Sequence, residues 1–116
     1  MMHAVSTYRP LKHYKWGNDC DGWNLVDNKD LSIKQERMAP GSFEQLHYHV
    51  HAQQFFYILK GIARIHIADH LVDLQAGEGL HIEAGTKHFI INHGTGDLDF
   101  LVCSSPSTNT DRVNCI

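Results

Sequence analysis

The chain has 116 residues, 42% of them apolar, and a formal net charge of −3. That length reads as one domain, which buries roughly two-thirds of its unfolded surface and needs no disulfide to fold. The mild charge, without a basic run, argues against nucleic acid as a partner, and no apolar stretch approaches the ~18 residues of a bilayer span.

The first six residues, Met1-Met2-His3-Ala4-Val5-Ser6, lack the charged-then-apolar pattern of a secretory signal. Residues 1–30 are polar and broken by Pro10, Gly17 and Gly22. They are expected to form an irregular arm, anchored by Tyr14, Trp16 and Trp23. From Leu31 short apolar segments and turn signals alternate every 8–12 residues or so, the pattern of an all-β sandwich or barrel. Strands are expected over Leu31–Met38, Glu44–Val50, Gln54–Leu59 and Ile62–Ala68. Asp69-His70 is read as a tight hairpin turn, followed by a strand carrying Val72 and Leu74. Shorter strands at Leu80–Glu83, His88–Asn92 and Leu98–Cys103 complete a barrel over 31–104. The tail, 105–116, is polar and expected to be loose until Val113 and Ile116. No window holds a sustained 3.6-residue period.

Cys20, Cys103 and Cys115 are odd in number and include no Cys-x-x-Cys pair. They read as reduced thiols in a cytoplasmic protein. Histidine is the anomaly: ten in all, eight between His47 and His93, and a candidate site lies inside that cluster. His47 and His49 are two apart, so in a strand both imidazoles face the same way. Gln54 and His88 each open an apolar run. Three neutral imidazoles plus an amide oxygen suit a divalent transition metal: Zn, Ni, Fe, Mn or Cu. A hydrogen-bonded polar pocket without metal is the alternative.

The spacing carries more than the composition. Gly41 is followed by five residues, His47, one residue, His49, four residues, Gln54, six residues and Gly61. Gly77 is followed by five residues, Glu83, one residue, Gly85, two residues, His88, three residues and Asn92. This resembles the two motifs of the cupin family over Gly41 to Asn92. The segment between them, Ile62 to Ala76, has the length typical of small cupins. The resemblance implies an antiparallel jelly-roll barrel with His47, His49 and His88 as metal ligands and Gln54 in the position of the family's glutamate. Glu83 stands where the family has proline. An uncharged Gln54 leaves the cation uncompensated, which lowers affinity and strengthens the Lewis acid.

Strand parity places Phe56 and Ile58 on the face of Gln54, and Phe100 and Val102 together on the last strand. Phe56, Ile58 and Phe100 are candidate ligand-wall residues, with simple core as the alternative. Leu31 and Ile33 share parity with Arg37. If that face is inward, the Arg37 guanidinium can meet an anionic ligand; an exposed or interface arginine is the alternative. His51 lies in the loop between ligands, a candidate proton shuttle with a solvated loop histidine as the alternative. His66, His70, His81 and His93 match no ligand spacing and read as surface or structural. No nucleophile sits in a recognisable turn. The resemblance leaves two functions open. One is a metal-dependent enzyme of isomerase, epimerase or dioxygenase type acting on a small polar, sugar-like or aromatic molecule. The other is a non-catalytic binding module with a structural metal. It also implies a homodimer, to which the N-terminal arm is expected to contribute.

Overall fold

The computed structural model describes residues 2–115. Its strands are β1 (Lys12–Trp16), β2 (Cys20–Asp27), β3 (Ser32–Met38), β4 (His47–His49), β5 (Gln53–Lys60), β6 (Ile62–Ile67), β7 (His70–Gln75), β8 (Gly79–Ile82), β9 (His88–Ile91), β10 (Leu98–Ser105) and β11 (Arg112–Asn114). They form two antiparallel sheets, one in the order β1-β2-β3-β10-β5-β8 and the other β11-β4-β9-β6-β7. No helix occurs among the described residues. This is a jelly roll, and β3 to β10 fall where the alternation of apolar and polar residues places them.

The period-2 pattern is clearest on β5 and β10. Gln54, Phe56 and Ile58 are buried while Phe55, Tyr57 and Leu59 face out, and Leu98, Phe100, Val102 and Ser104 are buried on the paired strand. The core lies between the sheets, around Met38, Ile58, Ile65, Ile82, Ile90 and Phe100. Fully burying each such side chain contributes on the order of 1.5–3 kcal/mol. The motif glycines Gly41, Gly61, Gly77 and Gly85 all have positive φ, as the turns ending these strands require. Asn92 closes the second motif: its Nδ2 donates to the Met38 and Gly96 carbonyls, and its Oδ1 accepts from Gly94 N–H.

Three expectations are corrected. Residues 12–27 are not an irregular arm but a hairpin, β1–β2, that extends the larger sheet from β3. The polar residues and Gly22 that suggested a loop belong to paired strands, of which β1 places Tyr14 and Trp16 on a cavity wall. The β6–β7 turn is Ala68-Asp69, because Ile67 pairs with His70, and Ala68 takes the positive φ of 51°. The C-terminal segment is tied down: β11 pairs with β4 through Arg112–His49 and Asn114–His47. It supplies the backbone partner that β4 would otherwise lack on one side. Ile116 lies outside the described residues.

Candidate metal centre

His47 and His49 lie on β4 and His88 on β9, where His47 and His88 are register partners. All three are buried, and their ligand atoms lie within 4.8 Å of one another. The ring centroids of His47 and His88 are 4.4 Å apart, those of His47 and His49 5.1 Å. The two-residue spacing therefore does put both β4 imidazoles on the interior face, and the second motif brings the third beside them.

Orientation comes from the backbone. The Nδ1 of His47 lies 2.7 Å from the Gln45 carbonyl, and that of His88 lies 2.8 Å from the Thr86 carbonyl. Each imidazole thus donates Nδ1–H to the carbonyl two residues earlier, which leaves Nε2 with a lone pair. Burial is the main reason that His47 is pulled down to about 3 and His49 to about 4, and it lowers His88 as well. All three are neutral at physiological pH, the form that ligates a metal.

Gln54 reaches in from β5 on the opposite sheet. Its Oε1 is 3.0 Å from His88 Nε2, and its Nε2 donates to Ser104 Oγ at 3.1 Å. With the His88 proton on Nδ1, two lone pairs face each other at that contact. A cation there, or the reversed amide, resolves the conflict. His49 Nδ1 is a buried nitrogen without a hydrogen-bond partner among the described residues. A three-imidazole set with a nearby amide oxygen and one orphaned nitrogen fits a divalent transition metal.

The cluster opens onto a cavity of about 370 Å³. Phe56 forms part of its wall, stacks on Phe100 at 5.6 Å and meets His88 edge-on. Ile58 and Phe100 are core residues behind that wall. Arg37 does not face the cavity. It binds Asp21 at 2.8 Å, Asp97 at 3.2 Å and the Asp19 carbonyl at 2.7 Å on the outer side of β3. The parity assumption was inverted: Lys34 and Glu36, not Ile33 and Arg37, line the cavity. Asp21 also binds Lys15 and His13, and with Arg37 they hold its carboxyl well below the usual range against the opposing effect of burial.

A charged stretch of the lining, shared between the wall opposite the histidines and the segments flanking β4, was not singled out from the sequence. It carries Tyr14, Lys34, Glu36 and Glu44, with Arg112 from β11. Tyr14 Oη donates to Glu36 Oε2 at 2.6 Å. Burial raises the proton affinity of Glu36, opposed by the Tyr14 hydrogen bond, Lys34 and Arg112. Burial, then the neighbouring Glu36 charge, pushes Glu44 up to about 8. Among the described residues Lys34 makes no ion pair; its Nζ sits 5.8 Å from the Tyr14 ring centroid. The available signal was the even parity Ser32-Lys34-Glu36-Met38, which ends on the fully buried Met38.

The family model described as Cupin domain matches residues 34–104. The oxalate-binding protein of Thermotoga maritima is 34% identical over 76 residues, covering 66% of this chain and 63% of the relative. This chain thus spans less than two thirds of that protein's length. The crystal structure of a predicted oxalate decarboxylase from Thermotoga maritima aligns with a TM-score of 0.80 at 25% identity, covering 91% of this chain and 100% of that one. The polyketide cyclase RemF from Streptomyces resistomycificus aligns with a TM-score of 0.85 at 17% identity, over 100% of this chain and 87% of that one. At that identity the likeness is one of fold.

Proposed function

The chain belongs to the cupin family, and from that premise we propose that it holds one divalent transition metal on His47, His49 and His88, with Gln54 beside them. We propose further that it is an enzyme acting on a small oxygen-donor anion bound in the cavity. The carrying observation is the cluster of three neutral imidazoles, two of which, His47 and His49, line a cavity that also carries charged side chains. The metal, when bound, supplies Lewis-acid polarisation of a ligand oxygen. The protein supplies the rest. Phe56 gives an apolar wall, and Lys34 gives a cation with no carboxylate partner among the described residues. Arg112 is paired with Glu44 at 3.8 Å, so Lys34 is the cavity cation left without an ion pair among the described residues. That unpaired cation favours an anion such as a small carboxylate.

A non-catalytic binding module is the second reading. The relative named as an oxalate-binding protein favours it. Elemental analysis of protein purified without a metal-affinity tag is expected to give about one equivalent of transition metal per chain. A thermal-shift screen of that protein should then show stabilisation by oxalate or pyruvate. Absence of metal under replete conditions would overturn the metal reading. Turnover of no screened carboxylate, despite tight binding, would favour the binding module.

Assembly and location belong to the same proposal. We propose a homodimer: β1 is an edge strand with backbone groups open to pairing, and Phe55, Tyr57 and Leu59 form an exposed apolar row on β5. A monomer mass by light scattering at micromolar concentration would overturn it. The cysteines are unpaired, which fits a reducing, cytoplasmic compartment. Among the described residues no helix is long and apolar enough to cross a membrane.

A further inference from the structure

Tyr14, Gly22 and Glu36 form one row across three strands, since Tyr14 pairs with Gly22 and Gly22 with Glu36. A Cβ at position 22 would overlap the Tyr14 ring and its hydroxyl. Glycine therefore lets the ring lie across β2 and deliver its O–H to a carboxyl two strands away. The row plays no part in holding the histidines.

Glu36 differs from the carboxylate on the other side of the same hairpin. Asp21 is saturated by Lys15, His13 and Arg37. Glu36 makes no ion pair among the described residues, and its hydrogen-bond donor is a neutral phenol. It lines the same cavity as His47 and His49. The titratable and charged groups around it are Tyr14 on β1, Lys34 on β3, Arg112 on β11, and Glu44 in the segment before β4.

We infer that Glu36, positioned by Tyr14 across Gly22, exchanges a proton with the molecule in the cavity, a 2-oxo carboxylate or an anion of like chemistry. This rests on the reading of the cavity as the ligand site. In the forward step the Glu36 carboxylate takes a proton from the carbon beside the ligand's carbonyl. The C–H bonding pair moves between the two carbons, and the carbonyl π pair moves onto oxygen. In the reverse step the O–H bond of Glu36 breaks, its pair stays on the carboxylate, and the carbon regains a proton. Glu36 ends as it began, and no oxidant or reductant is needed. Tyr14 is a positioning residue. Its O–H stabilises the carboxylate form, so its loss raises the proton affinity of Glu36.

The test uses the full-length zinc-loaded chain with pyruvate in deuterium oxide, following loss of the methyl proton signal by NMR. Metal-free protein labelled at the glutamate carboxyl carbons is titrated in parallel. Wild type should exchange the methyl protons faster than the same concentration of free zinc. Glu36→Gln should slow exchange at least about a hundredfold, the scale of general acid–base catalysis, while pyruvate still raises its melting temperature. Tyr14→Phe and Gly22→Ala should each move the rising limb of the pH–rate profile to higher pH. They should move the Glu36 titration midpoint in metal-free protein the same way. The double variant should match Tyr14→Phe alone. If pyruvate binds and Glu36→Gln exchanges at the wild-type rate, this inference falls and the ligand-site reading stands. If pyruvate neither shifts melting nor exchanges, both fall.

Discussion

The two walls of the cavity are built by different means. The histidine wall is local: His47 and His49 are two residues apart, and the Nδ1 of His47 and of His88 is fixed by the carbonyl two positions earlier in its own segment. The acid wall is assembled at long range. Tyr14 reaches Glu36 across 22 positions of sequence, and only the absence of a side chain at Gly22 lets it. A candidate metal centre whose ligands sit at short motif spacings is oriented largely by its own segments. A constellation written across strands depends on register, and one added methyl group can displace it.

The largest expected effect comes from breaking the local wall. His47→Ala with His49→Ala should remove bound metal entirely, from about one equivalent to none. It should also abolish the metal-linked stabilisation, which is about 4 kcal/mol when metal is at a thousandfold its Kd. The acid wall should persist, so the carboxyl titration of Glu36 should be unchanged. Elemental analysis and calorimetry of the two proteins check both halves. Retained stoichiometric metal would mean the ion sits elsewhere.

Next is the point where the local wall depends on distant chain. Asp111 accepts hydrogen bonds from the N–H groups of His51 and Ala52, at 3.0 and 2.8 Å, in the loop between His49 and Gln54. Asp111→Ala should cost about 2 kcal/mol, because the buried Ala52 donor and the part-buried His51 donor lose a charged acceptor. Burial alone would raise the Asp111 proton affinity, but those two donors, with His51 and His49 nearby, hold it below the ordinary 3.8. A depressed folded-state value gives stability that is present above 3.8 and lost as pH falls through the folded value. The gap between wild type and variant should therefore be full at pH 6 or so and close as the pH drops below about 4. Denaturant titrations across that range read it. A gap that widens in acid would mean Asp111 is not acting as the carboxylate.

Gly61 tests a motif position that is local in sequence yet pressed against another strand. Its φ is +89°, and a Cβ would meet the Asp97 carbonyl oxygen at 2.7 Å. Gly61→Ala should cost about 2 kcal/mol or more, combining left-handed strain with a backbone clash. Gly41 has φ +80° with nothing within 4 Å of an added Cβ, so Gly41→Ala should cost only the conformational strain of about 1 kcal/mol. Equal losses would show that the Asp97 contact does not matter.

How much of this was legible in the sequence follows the same division. Strands β3 to β10 were readable because an apolar core on one face and water on the other enforce period-2 alternation. His47 and His49 were readable because they are two apart on one strand, and His88 because the spacing of the second motif marks it. β1, β2 and β11 were not, since their inward residues meet a polar cavity or a partner strand and look like solvent-facing loop. The same physics misled the placement of Arg37. Leu31 and Ile33 suggested an inward odd face on β3, but the interior there is the cavity, and it takes Lys34 and Glu36. Binary patterning distinguishes core from water; it does not distinguish water from a polar cavity. Asp111 had no local signal, because its partners lie about 60 residues away.

The smallest effect is the most informative about how the walls meet. Gln54 comes from the sheet opposite the histidines, with Oε1 at His88 and Nε2 donating to Ser104 Oγ. Gln54→Glu keeps the shape, and Ser104 can turn its hydroxyl to donate to the carboxylate instead. In metal-free protein the buried charge finds only that hydroxyl and His88, so apo stability should fall. With metal bound the new charge offsets the cation and strengthens ligation. Competition with a chelator should show metal held about tenfold more tightly, roughly 1.4 kcal/mol. The more fully compensated metal is a weaker Lewis acid, so any turnover of a carboxylate ligand should slow while metal occupancy rises. Opposite movements of occupancy and rate would place position 54 in the coordination sphere. Equal or weaker metal binding in the glutamate variant would instead assign Gln54 to the hydrogen-bonded frame around His88, leaving the triad as the whole of the protein's contribution.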